Sequence, residues 1–278
     1  MQEINDFMQT IKDIRDPQKG CVWNLKQTHS SLKRYLLEEL YETLEAIDNE
    51  NPEELKEELG DLLLQIVLHS SIAEEKGQFD FHDVVKKIDE KMIKRHPHVF
   101  GDDIAHDTKT VDQLWDKEKA KEKESRKSIF EGIPKEMPAL ARAWKISKKA
   151  VKESFEWDLE EKLYDQLLSE IDELKEVVEA SRAKNKDPHE EDFASKEMKI
   201  EAELELGDIL FTVVNIARWF KIDPEEALRM TNNKFIKRFN LMQELCAKES
   251  KPMSDYAPVE LEAKWSEAKG IISTEASV

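Results

Sequence analysis

Carboxylates at helical spacing are the residues of this sequence best placed to do chemistry. Glu38, Glu39 and Glu42 fall within about a turn of one another, and Glu58 and Asp61 follow a little further on. Residues three or four apart share a helix face, so each group can present its acids to one side. Glu170 with Glu173, then Glu205 with Asp208, repeat the arrangement in the second half of the chain. Two antiparallel helices facing each other would gather four such carboxylates about one point. Like charges that close are protonated or pushed apart unless a cation sits between them. An all-oxygen set suits Mg²⁺ or Mn²⁺ rather than zinc, which prefers nitrogen and sulfur. Spacing alone is weak evidence: 61 of the 278 residues are acidic, so accidental matches are expected. A solvated helix face is the default for any single match. Gly60 and Gly207 add weight. Each stands one residue before an aspartate inside an otherwise strong helix pattern, where glycine costs roughly 1 kcal/mol against alanine. That predicts a partner helix or ligand in close approach.

A second group is basic. Lys234, Lys237 and Arg238 lie on one helical face, as do Lys91, Lys94 and Arg95 earlier in the chain. In a protein of net charge −18 these are candidates for holding phosphates, arginine with a bidentate grip. The competing reading is a surface face paired with nearby acids. Trp115 and Trp265 could stack on a base or pack in a core, where tryptophan is mostly found. His96-Pro97-His98 reads as a turn after a helix, since one such pair of histidines without further ligands is a poor metal signal.

The elements that must position these residues are helices arranged as a duplication. Residues 58–67 and 205–214 read ELGDLLLQIV and ELGDILFTVV, identical at six of ten positions. The acidic pairs upstream and the basic segments downstream keep the same order. Trp23 and Trp157 precede the acidic segments, and Trp115 and Trp265 follow the basic ones. The second copy carries an insertion: its acidic segments stand 31 residues apart instead of 15. The extra residues, about 183–199, are expected to form an exposed loop and an extra helical turn. The boundary falls between Trp115 and Trp157, where Asp116–Lys127 is almost wholly charged and Gly132, Pro134 and Pro138 follow. This gives a first repeat at 1–117, a charged linker at 118–135 and a second repeat at 136–278. Apolar residues recur at helical spacing through Leu36, Leu37, Leu40, Leu44 and Ile47, and no run of alternating β-branched residues suggests a strand. The fold class is all-α.

Composition narrows the partners. With 43 basic and 61 acidic residues, the chain repels a nucleic-acid backbone unless it carries a concentrated basic patch, and none of sufficient length occurs. A small anionic substrate then needs a bound cation to neutralise it. The longest apolar stretch, 59–72, is broken by Gly60, Asp61, Gln65 and His69, which excludes a membrane span. The acidic amino terminus is unlike a secretory signal. Cys21 and Cys246 show no metal-ligand spacing and fit a reducing compartment, so a soluble, cytoplasmic protein is expected.

At this point the residues match a known family. The Glu-Glu-x-x-Glu and Glu-x-x-Asp arrangement resembles the all-α nucleoside triphosphate pyrophosphohydrolase superfamily. The segments 15–23 (RDPQKGCVW), Gln27-Thr28 and 95–100 (RHPHVF) are similar to the MazG branch, over nearly the whole chain and in its two-domain form. The resemblance implies helical bundles, Mg²⁺ held by the two acidic helices, hydrolysis of nucleoside triphosphates to monophosphate and pyrophosphate, and a homodimer. Carried over by position, it makes Glu170, Glu173, Glu205 and Asp208 the catalytic metal ligands. Glu39, Glu42, Glu58 and Asp61 hold the matching metal-binding places in the first repeat. Lys234, Lys237, Arg238 and Trp265 would contact the nucleotide. Three positions depart from the pattern: Val22 and Asn24 flank the first tryptophan where the family often has proline and aspartate, and Ser169 replaces the leading glutamate of the second motif. The second repeat is the one expected to work, because it keeps both inner acids of the motif together with Lys234, Arg238 and Trp265.

Two rivals are weaker. A di-iron carboxylate bundle needs Glu-x-x-His on two helices, and none of the seven histidines has a glutamate three residues before it. A non-catalytic acidic helical interaction protein would have no need of two Glu-Leu-Gly-Asp copies.

Overall fold

The computed structural model describes residues 2–122, 127–184, 192–249 and 251–275. Residues 123–126, inside the expected linker, and 185–191, inside the expected insertion, lie outside the described residues. Among the described residues all regular structure is helical, and the chain divides into two compact units, Met1–Ser125 and Arg126–Val278.

The first unit holds α1 (Gln2–Ile14), α2 (Val22–Leu25), α3 (Lys33–Asp48), α4 (Pro52–Glu75), α5 (Phe81–Arg95), α6 (Pro97–Phe100) and α7 (Thr108–Lys121). Its central feature is the α3–α4 hairpin. Asn51 ends the three-residue turn, and its side chain accepts from the amides of Glu53 and Glu54, while Pro52 opens the helix where its missing amide hydrogen costs nothing. Asp80 and Asp83 cap α5 reciprocally. Ile11, Leu32, Val67, Leu68 and Ile72 form the buried core, with Phe7, Tyr35, Leu64 and Phe81 packed against it. Arg15, itself buried, ties α1 to the far end of α4 through two bonds to Glu75 (2.6 and 2.8 Å) and also donates to the Asn24 carbonyl. His96 ends α5 and α6 follows at once, which is the expected turn after a helix.

The second unit holds α8 (Ala139–Lys152), α9 (Glu160–Lys184), α10 (Lys196–Trp219), α11 (Pro224–Lys248), a 3-10 turn (Met253–Asp255) and α12 (Pro258–Glu275). The α9–α10 pair corresponds to α3–α4; α10 matches α4 at 24 residues, and α9 runs to 25 where α3 has 16. Ser195 caps α10 by accepting from Met198, and the Ala194 amide donates to Ser181. Buried Ser147 of α8 donates to Asn215 (2.6 Å) and accepts from Arg218 Nε (2.7 Å), and Arg218 forks onto Glu156 with two 2.6 Å bonds. Met242, Leu245 and Ala268 make a small core between α11 and α12, with Phe239 and Trp265 against it.

Much apolar surface remains uncovered. Leu36, Leu37, Leu40, Tyr41, Leu44 and Ile47 on α3, and Leu59 and Ile66 on α4, stay exposed in the single chain. Leu168 and Leu204 retain 60% and 63% of their surface in the second unit. The helical periodicity is real, but its apolar face is only partly buried by the chain's own elements.

Candidate functional site

In the first unit the hairpin brings Glu39 of α3 against Glu58 and Asp61 of α4, with one carboxylate oxygen from each within 4.8 Å of the other two. Loss of water, then the Asp61 charge, then Glu42 and Glu58, push the Glu39 carboxyl above its ordinary range. Glu58 is raised by loss of water and by Glu42 and Asp61. Glu42 stands outside the trio but near enough to act on both.

The second unit repeats the geometry with a different membership. Glu170 and Glu173 of α9 meet Glu205 of α10 within the same 4.8 Å, and Asp208 lies outside the trio. Loss of water, then Glu173, Asp208 and Glu170, raise the Glu205 carboxyl. Gln166 donates to Glu170 (2.6 Å) and Ser169 donates to Glu173 (3.0 Å). Ser169 thus takes the place of an acid by holding one. Carboxylates gathered in this way, with at least one proton affinity raised, are a set of hard oxygen donors suited to a divalent cation.

Gly60 and Gly207 do not have the close neighbour the sequence suggested. A Cβ at either would meet nothing within 4 Å.

The two basic faces differ. Lys234 and Lys237 are exposed on α11, and Arg238 is partly buried, with Nε enclosed and without a partner among the described residues. Trp265 sits 5.1 Å from Phe235 against the α11–α12 core, so it packs as well as borders the face. In the first unit Arg95 is engaged, bound to Glu122 and lying over Trp115.

Three features escape the sequence reading. A cavity of about 250 Å³ beside Glu39 is lined by Trp23, Asn24, Tyr35 and Gln65 among apolar residues, and the buried Gln65 Oε1 has no partner among the described residues. Trp23 meets Tyr35 edge to face, 5.6 Å between centroids. His29 and His69 stack with Nδ1 atoms 2.8 Å apart, though forty residues separate them. Gln65 and His69 could have been singled out, as polar residues set within the apolar run of α4; the partner His29 could not.

Among the described residues no helix is long and apolar enough to cross a membrane. The family model for the MazG nucleotide pyrophosphohydrolase domain matches residues 27–100 and 159–242, which contain both acidic trios. The chain is 40% identical over 267 residues to the nucleoside triphosphate pyrophosphohydrolase/pyrophosphatase MazG of Thermotoga maritima, covering 96% of each. It is 35% identical over 271 residues to the nucleoside triphosphate pyrophosphohydrolase of Escherichia coli K12, covering 97% of this chain and 98% of that one. It also matches the uncharacterized protein YabN of Bacillus subtilis, 43% identical over 96% of this chain and 52% of that protein.

Proposed function

Since the chain belongs to the MazG nucleotide pyrophosphohydrolase family, we propose that it hydrolyses nucleoside triphosphates to monophosphate and pyrophosphate, with Mg²⁺ or Mn²⁺, at its second unit. The observation that carries this placement is the contrast between the two arginines: the enclosed Arg238 Nε has no hydrogen-bond partner among the described residues, where the Arg95 Nε is bonded to Glu122.

Glu170, Glu173 and Glu205 would hold the cation, and Asp208, whose charge reaches Glu205, completes the set. When bound, the cation supplies charge neutralisation of the phosphate oxygens and activation of water. Gln166 and Ser169 fix two of the carboxylates in place before substrate arrives. Lys234, Lys237 and Arg238 grip the phosphates that become pyrophosphate, and a carboxylate of the set accepts the proton of the attacking water. Trp265 borders the nucleotide from its place against Phe235.

The working molecule is a homodimer. The exposed apolar rows of α3 and α4 and the exposed Leu168 and Leu204 of α9 and α10 support this reading. So do Gly60 and Gly207, whose open faces leave room for a second copy. Sedimentation at micromolar concentration should give twice the chain mass, and a single-chain mass would contradict the dimer.

The deciding experiment incubates the purified protein with a panel of NTPs and dNTPs, with and without Mg²⁺, and identifies the products. Monophosphate and pyrophosphate are expected, with loss of turnover in EDTA and recovery on adding Mg²⁺ or Mn²⁺. Diphosphate and inorganic phosphate would overturn the assignment.

A further inference from the structure

Lys91, Lys94 and Arg95 place three cations near the end of α5, in a chain whose net charge is −18. Neither lysine has an ion pair among the described residues. Glu122, the residue after α7, accepts two bonds from Arg95: Nε–Oε1 at 3.3 Å and Nη2–Oε2 at 2.5 Å. The guanidinium lies over the Trp115 ring, 5.2 Å from its centroid. The pair is well shielded, the side chains being 14% and 27% exposed. His96 also meets the Trp115 ring, edge-on at 5.1 Å, and lies 5.6 Å from His98, whose Nδ1 is buried without a partner among the described residues.

A forked arginine stacked on an indole with lysines beside it is built to receive an oxyanion. The carboxylate it holds is the smallest example. One negative charge leaves two of the three positive charges uncompensated, and a phosphate-bearing anion would offset more. The hydrogen bond from Arg95, then the charges of Arg95, Lys94 and Lys91, hold the Glu122 carboxyl below its usual range.

We propose that this corner of the first unit is a binding site for a phosphate-bearing ligand, and that the chain's own Glu122 occupies it as an internal competitor. Glu122 and a phosphate cannot both take the fork of Arg95, so a ligand must displace the carboxylate. On the corresponding face of the second unit, Lys234, Lys237 and Arg238, the Arg238 Nε has no carboxylate or other hydrogen-bond partner among the described residues. The inference rests on reading that second face as phosphate-holding. It adds that a single carboxylate silences the first.

The test is calorimetric titration of the full-length protein with inorganic pyrophosphate in EDTA, in an Arg238→Ala background that removes the second face. Glu122→Gln should tighten binding by about tenfold, the loss of a charge-assisted competitor. Adding Arg95→Ala should abolish the gain. No gain in a Glu122→Gln protein with unchanged helical circular dichroism would overturn the proposal, as would a gain that survives Arg95→Ala. Should Glu122→Gln fail to fold, Glu122→Asp keeps the charge but falls a methylene short, and the same two criteria apply to it. Nucleoside triphosphate turnover by the unmodified protein reports separately on the function proposed above, so the two failures are distinguishable.

Discussion

Ser169 donates a hydrogen bond to Glu173, Oγ to Oε1 at 3.0 Å, across one turn of α9. The first repeat has Glu38 at this position, so the second has exchanged a charge for a donor. A donor lowers the repulsion in the trio and fixes the rotamer of Glu173. Ser169→Ala should raise the Mg²⁺ concentration for half-maximal turnover by about tenfold, the lower end for a group that orients a metal ligand, because the pair is exposed. An unchanged Mg²⁺ dependence would deny Ser169 that role.

Ligand removal separates the repeats. Glu173→Ala or Asp208→Ala should reduce turnover by at least about a hundredfold, more than losing an outer-shell partner does. Glu42→Ala or Asp61→Ala should leave most of it. Folding is checked by circular dichroism. The reverse pattern would move the working site to the first unit, and equal losses would mean that both units act.

The histidine pair makes a pH prediction. Burial, then the charge of His29, holds the His69 ring below its ordinary value. The folded state therefore favours the neutral ring. Stability from this source is complete above the unfolded value of about 6.5 and is lost as pH falls through the lower folded value. Histidine-resolved NMR should show one ring titrating below 6.5, and that signal should disappear in His69→Gln. The variant should also lose less stability than the parent between neutral and mildly acid pH.

A buried polar junction governs the second unit. Ser147→Ala leaves the enclosed Arg218 Nε and the Asn215 oxygen each short of a partner. The expected loss is about 1–3 kcal/mol in urea unfolding, the usual cost of stranding a buried polar group. A loss below the error of the extrapolation would mean that water replaces the hydroxyl.

The helices and the acids that share a helix face are legible in the sequence because both depend on local spacing, whereas which three acids meet across each hairpin is set by the packing of two helices. Glu58 and Asp61 must share a face wherever α4 runs, and the duplication repeats the pattern at Glu205 and Asp208. What the sequence hides depends on distance or on a choice among equals. His29 finds His69 only through the fold. Glu122 stands in a run of lysines and glutamates in which nothing marks the one that meets Arg95. Ser169 reads as a missing acid until its hydroxyl is seen on Glu173. The apolar stripe of α3 is visible as periodicity, yet periodicity cannot say whether the chain itself or another copy covers it.

The open faces at Gly60 and Gly207 carry a consequence for heat resistance. Alanine at either site meets no obstacle in the isolated chain and removes a helix penalty of about 1 kcal/mol. In the proposed dimer the same methyl intrudes on the neighbour and weakens association, and association stabilises in proportion to the logarithm of concentration. Gly60→Ala should therefore melt above the parent protein in dilute solution and below it in concentrated solution. The two melting temperatures cross at a concentration set by how tightly the copies hold. Helix strength gives way at these positions to room that only a crowded solution can use.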